Sequence, residues 1–132
     1  MKKILIFIYV IVAAFYGCEK NYVNVPQSLV GKWTWVSTCG GIAGICYTPQ
    51  STGQNNHFVF TADSVFYYYV NDTLKNTGVF HVYKILSENN KSLNILQAGS
   101  WDGEFTVTND ILSWPIHSDC FDCFESAYKR IR

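Results

Sequence analysis

The stretch His57-Phe58-Val59-Phe60-Thr61, then Ala62-Asp63, then Ser64-Val65-Phe66-Tyr67-Tyr68-Tyr69-Val70 decides the fold class. β-branched and aromatic residues fill both runs, and a two-residue turn candidate separates them. That pattern reads as strand, turn, strand. Working outward, the same period of two returns at short intervals from Ser28 to the end, and no helical spacing persists long enough to compete. The expected strands are Leu29 to Thr38, His57 to Thr61, Ser64 to Val70, Gly78 to Leu86, Ser92 to Gln97, Glu104 to Thr108, Ile111 to Trp114 and Glu125 to Ile131. Asn109-Asp110 is a second two-residue turn candidate and Glu88 to Lys91 a polar four-residue one. Asn71 to Thr77 and Ala98 to Gly103 read as longer loops, and Cys39 to Asn56 as the one long connection. Short turns imply consecutive antiparallel pairing. A meander of eight short strands leaves two exposed edges unless the first strand closes onto the last, so the expectation is an all-β, eight-stranded antiparallel up-and-down barrel.

The chain has 132 residues, ten Lys+Arg against ten Asp+Glu, with 15% charged and 17% aromatic. This is one domain with ample apolar surface, which excludes a disordered tail. Zero net charge removes the basic footprint of a nucleic-acid binder, so no nucleic acid is expected as a partner. The balance is not uniform along the chain. Met1-Lys2-Lys3 is a cationic head, and Ile4 to Tyr16 is an uncharged run of thirteen residues. A spanning helix needs about 20 apolar residues, so residues 1–17 read as a secretory signal.

Phe15-Tyr16-Gly17-Cys18 resembles the lipobox of a bacterial lipoprotein. The resemblance implies that Cys18 becomes the mature N-terminus, carrying acyl chains of the palmitate kind that hold the protein on a membrane. Ordinary secretion with Cys18 as a spare thiol is the alternative. Removing Lys2 and Lys3 leaves eight basic residues against ten acidic, a charge of about −2 on 115 residues. Residues 18–27 read as the lipidated Cys and a polar tether, and residues 28–132 as the folded domain.

Gly31-Lys32-Trp33 on the first strand and Tyr128-Lys129-Arg130 on the last resemble the lipocalin pattern, in which an Arg from the final segment lies over the Trp of a Gly-x-Trp. The layout of signal, lipid Cys, short tether, Leu-Val-Gly-Lys-Trp, Gly-rich first loop and terminal Tyr-x-Arg is similar to small lipocalin-like lipoproteins of Bacteroidetes. The resemblance implies structural roles at a closed end for Gly31, Trp33 and Arg130, and a non-enzymatic envelope protein of the outer membrane, with a small hydrophobic ligand at its open end. The residues expected there are Tyr47, in the Gly40 to Tyr47 loop, and one aromatic row of Phe66, Tyr67, Tyr68 and Tyr69. Those four rings fall on both faces of their strand, so one set fills the interior and the other is an outer surface or a recognition patch. On the next strand, Val79, His81, Tyr83 and Ile85 alternate with Phe80, Val82, Lys84 and Leu86, and either row can point inward. The rival function is a protein-interaction module, such as an inhibitor of an envelope hydrolase or an accessory of a surface complex. A solid aromatic interior favours the rival; an open cavity favours the ligand.

Cys39, Cys46, Cys120 and Cys123 are an even set in an exported chain, so disulfides are expected. Of three connectivities, the local one (Cys39 with Cys46, Cys120 with Cys123) is favoured over those that clamp the first loop to the loop of Pro115 to Phe124. His117, Cys120 and Cys123 have metal-ligand spacing, but an oxidising compartment consumes the thiols first, so neither metal nor other cofactor is expected. His57, His81 and His117 lie on separate elements, and Asp102 and Glu104 flank Gly103 in a turn-like setting. No catalytic residue is assigned.

Overall fold

The computed structural model describes residues 21–116, 120 and 122–132. The signal peptide and Cys18 lie outside the described residues. The elements are β1 (Asn21–Tyr22), β2 (Gly31–Gly40), β3 (Ile45–Tyr47), α1 (Pro49–Thr52), β4 (Asn56–Phe60), β5 (Val65–Val70), β6 (Thr73–Leu86), β7 (Ser92–Ala98), β8 (Trp101–Thr108), β9 (Ile111–Ile116) and β10 (Phe124–Ile131). Every strand pairing is antiparallel, in the order β1-β6-β5-β4-β2-β10-β9-β8-β7, and β7 pairs back to β6, so the sheet closes in a ring. The first long strand pairs with the last, from Lys32↔Ile131 to Gly40↔Phe124. The 14-residue β6 spans two neighbourhoods. Its first half pairs with β5 as far as Val79, and its second half pairs with β7 from Phe80 onward.

Turn chemistry sets the ladder. Asn71 (φ 49°) and Asp72 (φ 61°) make a two-residue hairpin turn between Val70 and its partner Thr73, as Asn109 (φ 51°) and Asp110 (φ 62°) do between Thr108 and Ile111. Both central residues of such a turn need positive φ, which Asn and Asp tolerate. The Asn71 to Thr77 loop expectation is therefore corrected. Only Asn71-Asp72 turns, and residues 73–77 start β6, because Thr73, Lys75, Asn76 and Thr77 suit a solvent-facing strand while the backbone pairs with β5. The Ala98 to Gly103 loop shrinks likewise to Gly99-Ser100, and Trp101 opens β8. Within the long first connection, β3 folds back onto β2, and α1 adds one short turn with Thr48 as its N-cap.

Alternation places one row of each strand inside the ring. Trp33, Trp35, Phe58, Phe60, Phe66, Phe80, Val82, Leu96, Ala98, Phe105, Leu112, Trp114 and Tyr128 form one buried cluster with Leu29. On β6 it is the Phe80 and Val82 row that points in. Trp33, Trp114, Phe58, Phe60, Phe66 and Phe80 are each at most 1% exposed. Phe58 is the hub, with ring centroids 5.4 Å from Trp114, 5.3 Å from Trp101 and 5.6 Å from Tyr128, all edge-to-face. Edge-to-face pairing sets each ring's positive edge on a neighbour's electron-rich face, an advantage beyond area burial.

The lower end, where β2 begins and β10 finishes, is tied by Arg130. Its guanidinium lies 4.2 Å over the Trp33 ring, its Nη1 donates to the Val30 carbonyl at 2.7 Å, its Nη2 to the Ser28 carbonyl, and its Nε to Asp110 Oδ1 at 3.0 Å. Gly31, at φ 140°, leaves room for this fork, since a Cβ there would stand 2.8 Å from Nη1. Trp33 Nε1 donates to the carbonyl of the fully buried Leu29 at 2.7 Å. The chain before β2 is not free along residues 21–27. Asn21 and Tyr22 pair with β6, Val23 N–H donates to the Val82 carbonyl at 3.0 Å, and Val23 and Val25 pack against the core. A mostly polar sequence hides this strap, in which Val23 and Val25 meet the core while Tyr22 packs on the outer rings of His81 and Tyr83.

The clasp yields a stability prediction. Arg130→Lys keeps the charge but loses the planar fork and should cost about 1–2 kcal/mol. Gly31→Ala, which puts a side chain into a glycine-only backbone region against the guanidinium, should cost about 2 kcal/mol. Both are read as midpoint shifts in urea unfolding.

Candidate functional site

The upper end of the ring carries a different set of groups. Tyr128 and Ser126 lie on the inner row of β10, so Thr38, the register partner of Ser126, faces inward too. Trp35 Nε1 donates to Thr38 Oγ1 at 2.8 Å, and Thr38 Oγ1 lies 2.7 Å from Ser126 Oγ. The inward turn at Thr38 depends on a bulge. Ala127 pairs with Ser37 but Tyr128 with Trp35, so Val36 is an extra residue that shifts the alternation of β2. Tyr68 packs over Phe58 at 4.6 Å and Trp101 at 4.9 Å, completing an aromatic floor. Asn56 shares the row of Phe58 and Phe60, and its Oδ1 is shielded without a hydrogen-bond partner.

Above this floor stands a hairpin. Thr38 pairs with Tyr47, and Gly40 pairs with both Ile45 and Phe124, so Ile45, Tyr47 and Phe124 share the mouth side while Cys39 and Cys46 bridge on the other. The Tyr47 and Phe124 rings are 6.0 Å apart. At the tip Ile42 is 92% exposed, and Ile45, Tyr47 and Phe124 stay 47%, 44% and 38% exposed. A second disulfide, Cys120–Cys123, closes the turn that leads into β10. The two loops meet at Gly40, where a Cβ would overlap the Cys123 carbonyl and the Phe124 Cα. The hairpin thus rests on the neighbouring loop through a contact only glycine permits.

The mouth's electrostatics follow from burial. Desolvation pushes the Tyr128 hydroxyl well above the usual tyrosine range, a bond with Ser126 acting against it and Tyr68 with it, and burial raises Tyr68 as well. Raised values keep both hydroxyls protonated at neutral pH.

The structure separates the residues singled out in the sequence. Phe66 is core, Tyr68 is mouth floor, and Tyr47 is mouth wall. Tyr67 and Tyr69 lie on the outer face, where Tyr69 stacks on His57 at 4.5 Å. Gly31, Trp33 and Arg130 come together at the opposite end. The disulfide pairing is the local one, and it occupies the thiolates of Cys120 and Cys123; His117 lies outside the described residues. His81 faces outward against Tyr22, and Asp102 accepts from the Tyr83 hydroxyl at 3.2 Å, away from the mouth. His57 is lowered from its ordinary pKa by burial first and by Lys32 next, with Asp72 opposing. Among the described residues no three His, Cys, Asp or Glu side chains are grouped to hold a metal. Sequence reading missed Phe124, Thr38, Ser126 and Asn56. One signal was available: residues 33–62 contain no Asp, Glu, Lys or Arg, thirty positions that include β2 after Lys32, the hairpin and β4.

Two outcomes are expected. The folded state binds the tyrosine protons more tightly than the unfolded chain, so this stabilisation is complete below about pH 10 and declines as pH rises further. Thermal melts across that range should show a shallower alkaline loss for Tyr128→Phe than for the native chain. Asn56→Leu removes a shielded carbonyl that has no partner and should raise stability by about 1 kcal/mol in the same assay.

No protein family, curated protein or solved structure matches the chain.

Proposed function

We propose that the chain is a lipid-anchored, non-enzymatic protein of the bacterial envelope, folded as a small eight-stranded lipocalin-like barrel that docks a partner protein at its upper mouth. The observation that carries this reading is the interior: six Trp and Phe rings, each at most 1% exposed, occupy the space a lipocalin ligand would take. What remains accessible is a shallow aromatic floor and an apolar wall of Ile42, Ile45, Tyr47 and Phe124. Protein interfaces concentrate aromatic and aliphatic anchors of this kind and avoid charge at their centres. Two disulfide-closed loops hold the wall, so little ordering entropy opposes binding. The raised pKa values of Tyr68 and Tyr128 support a recognition role over an activated nucleophile or base.

The anchor fits the same arrangement. Cys18 precedes Asn21 by three residues, a reach of about 10 Å at full extension. Asn21 pairs with Lys84, in the half of β6 that runs towards the lower end. Acyl chains at Cys18 would leave the lower end nearest the membrane and the hairpin facing away from it. Gly31, Trp33 and Arg130 would then seal the membrane-side end. A small apolar ligand, as the lipocalin resemblance implies, would be confined to the shallow mouth.

Photocrosslinking from position 42 in envelope membranes tests the reading. A discrete protein adduct that disappears in Tyr47→Ala, and is absent when the crosslinker sits at Glu88 on the lower turn, is the expected result. Native mass spectrometry of the extracted protein showing a bound small molecule, without any such adduct, would move the function to ligand binding. Cys18→Ala should release the protein from membranes; unchanged partitioning would remove the anchor.

A further inference from the structure

The end of β6 and the start of β7 leave the ring as a hairpin of their own. The β5 ladder on β6 stops at Val79, and the β8 ladder on β7 begins at Ile95. Beyond those limits Lys84, Ile85 and Leu86 pair with Asn94, Leu93 and Ser92, and Asn21 of β1 lies against Lys84. β7 and β8 part here, and a notch of about 360 Å³ opens between Asn94 and residues 105–108. The turn of the hairpin is closed on itself. Ser87 N–H donates to the Lys91 carbonyl at 2.9 Å, Asn90 N–H to the Ser87 carbonyl at 2.8 Å, and Lys91 N–H to Ser87 Oγ at 3.2 Å. Its large apolar side chains stay outside the core: Leu86 is 71% exposed, Tyr22 62% and Ile85 42%. Register puts Ile85 and Leu93 on one face, in the row of Tyr83 and its partner Tyr22, and Leu86 on the other face with Lys84. Lys84 and Lys91 are exposed, and Glu88 is the acid of the turn.

We infer that this hairpin is a membrane contact, resting in the headgroup layer of the leaflet that holds the protein, with Ile85, Leu86 and Tyr22 against the acyl boundary and Lys84 and Lys91 on lipid phosphates. The inference rests on the lipid anchor at Cys18 proposed above and adds a second contact to it. Three residues separate Cys18 from Asn21, whose partner Lys84 belongs to the hairpin, so an acylated Cys18 holds the hairpin within about 10 Å of the leaflet. At that range a weak contact suffices, because the tether keeps its effective concentration high. The distribution of apolar groups favours lipid over a protein partner. A two-stranded end with aliphatic side chains on both faces offers no single face to lay on a folded surface, whereas a headgroup layer surrounds it. The Ser87, Asn90 and Lys91 N–H groups already have partners, so entering a drier medium strips no hydrogen bond from them. Tyrosine and lysine suit this depth, the ring with its hydroxyl towards water and the ammonium reaching back to phosphate. Glu88, Asn89 and Asn90 limit the hairpin to the polar layer. Two contacts, the anchor and the hairpin, stop the domain from swivelling and keep the upper mouth turned away from the membrane.

The test uses the full chain expressed in cells, extracted from membranes and reconstituted into vesicles of phosphatidylethanolamine and phosphatidylglycerol, with p-benzoylphenylalanine in place of Leu86 or of Ile42. Irradiation should give a phospholipid adduct by mass at position 86 and none at position 42. Leu86→Asn, read with the crosslinker at position 85, should cut the lipid adduct about tenfold, the change expected when one leucine loses its apolar burial. Flotation with the vesicles, which reports the anchor, should be unchanged in that variant. Floating protein with no lipid adduct at position 86, equal lipid adducts at 42 and 86, or an undiminished adduct in Leu86→Asn would each overturn the proposal and leave the anchor standing. Native protein that neither fractionates with membranes nor floats would overturn the anchor and the membrane contact together.

Discussion

The Arg130 clasp is the contact on which the ring depends. One guanidinium reaches four separate pieces of chain: the Trp33 face on β2, the Ser28 and Val30 carbonyls of the strap, and the Asp110 carboxylate in the turn between β8 and β9. Without this side chain the lower end of the ring would leave the Ser28 and Val30 carbonyls unpaired and uncover the rim of the Trp33 indole. Arginine is suited to that task because its donors diverge in one plane while its flat face stacks on the ring. The geometry in turn dictates Gly31, since any side chain at that position meets the guanidinium.

Closing the lower end fixes what the upper end can do. With Trp33, Trp114, Phe58, Phe60, Phe66 and Phe80 filling the interior, the aromatic core extends up to Thr38, Ser126, Tyr68 and Tyr128. Apolar bulk below and hydroxyls above make a shallow mouth. The hairpin carrying Ile42 and Ile45 stands beside it because the bulge at Val36 reverses the facing of β2, which turns Thr38 inward and with it the Tyr47 side of the hairpin. A single extra residue thus decides that the exposed apolar wall flanks the mouth and not the outer face.

Much of the ladder was legible because period two and turn residues are local signals. Asn109-Asp110 was readable as a hairpin turn, as were the strands of Phe66 to Tyr69 and Ile111 to Trp114. Asn71-Asp72 carried the same chemistry, but the mostly polar residues 73–77 behind it masked the strand they begin. β3 has only three residues and no periodicity; it exists because β2 offers an edge and Cys46 meets Cys39. The strap lacked any pattern, since its strand hydrogen bonds need β6 already in place.

The sequence by itself determined the all-β class, the antiparallel order, the closing of the first long strand on the last and the presence of aromatic bulk sufficient for a core, while the meeting of Gly31 and Trp33 with Arg130 was implied by a resemblance. Each of these follows from alternation, turn propensity or a short motif. Only the tertiary structure decided which aromatic row points inward and that Tyr68 and Tyr47 share the mouth while Tyr67 and Tyr69 do not. Those outcomes depend on bulges, register and the meeting of segments distant in sequence. A local pattern carries no record of which neighbour a strand will find.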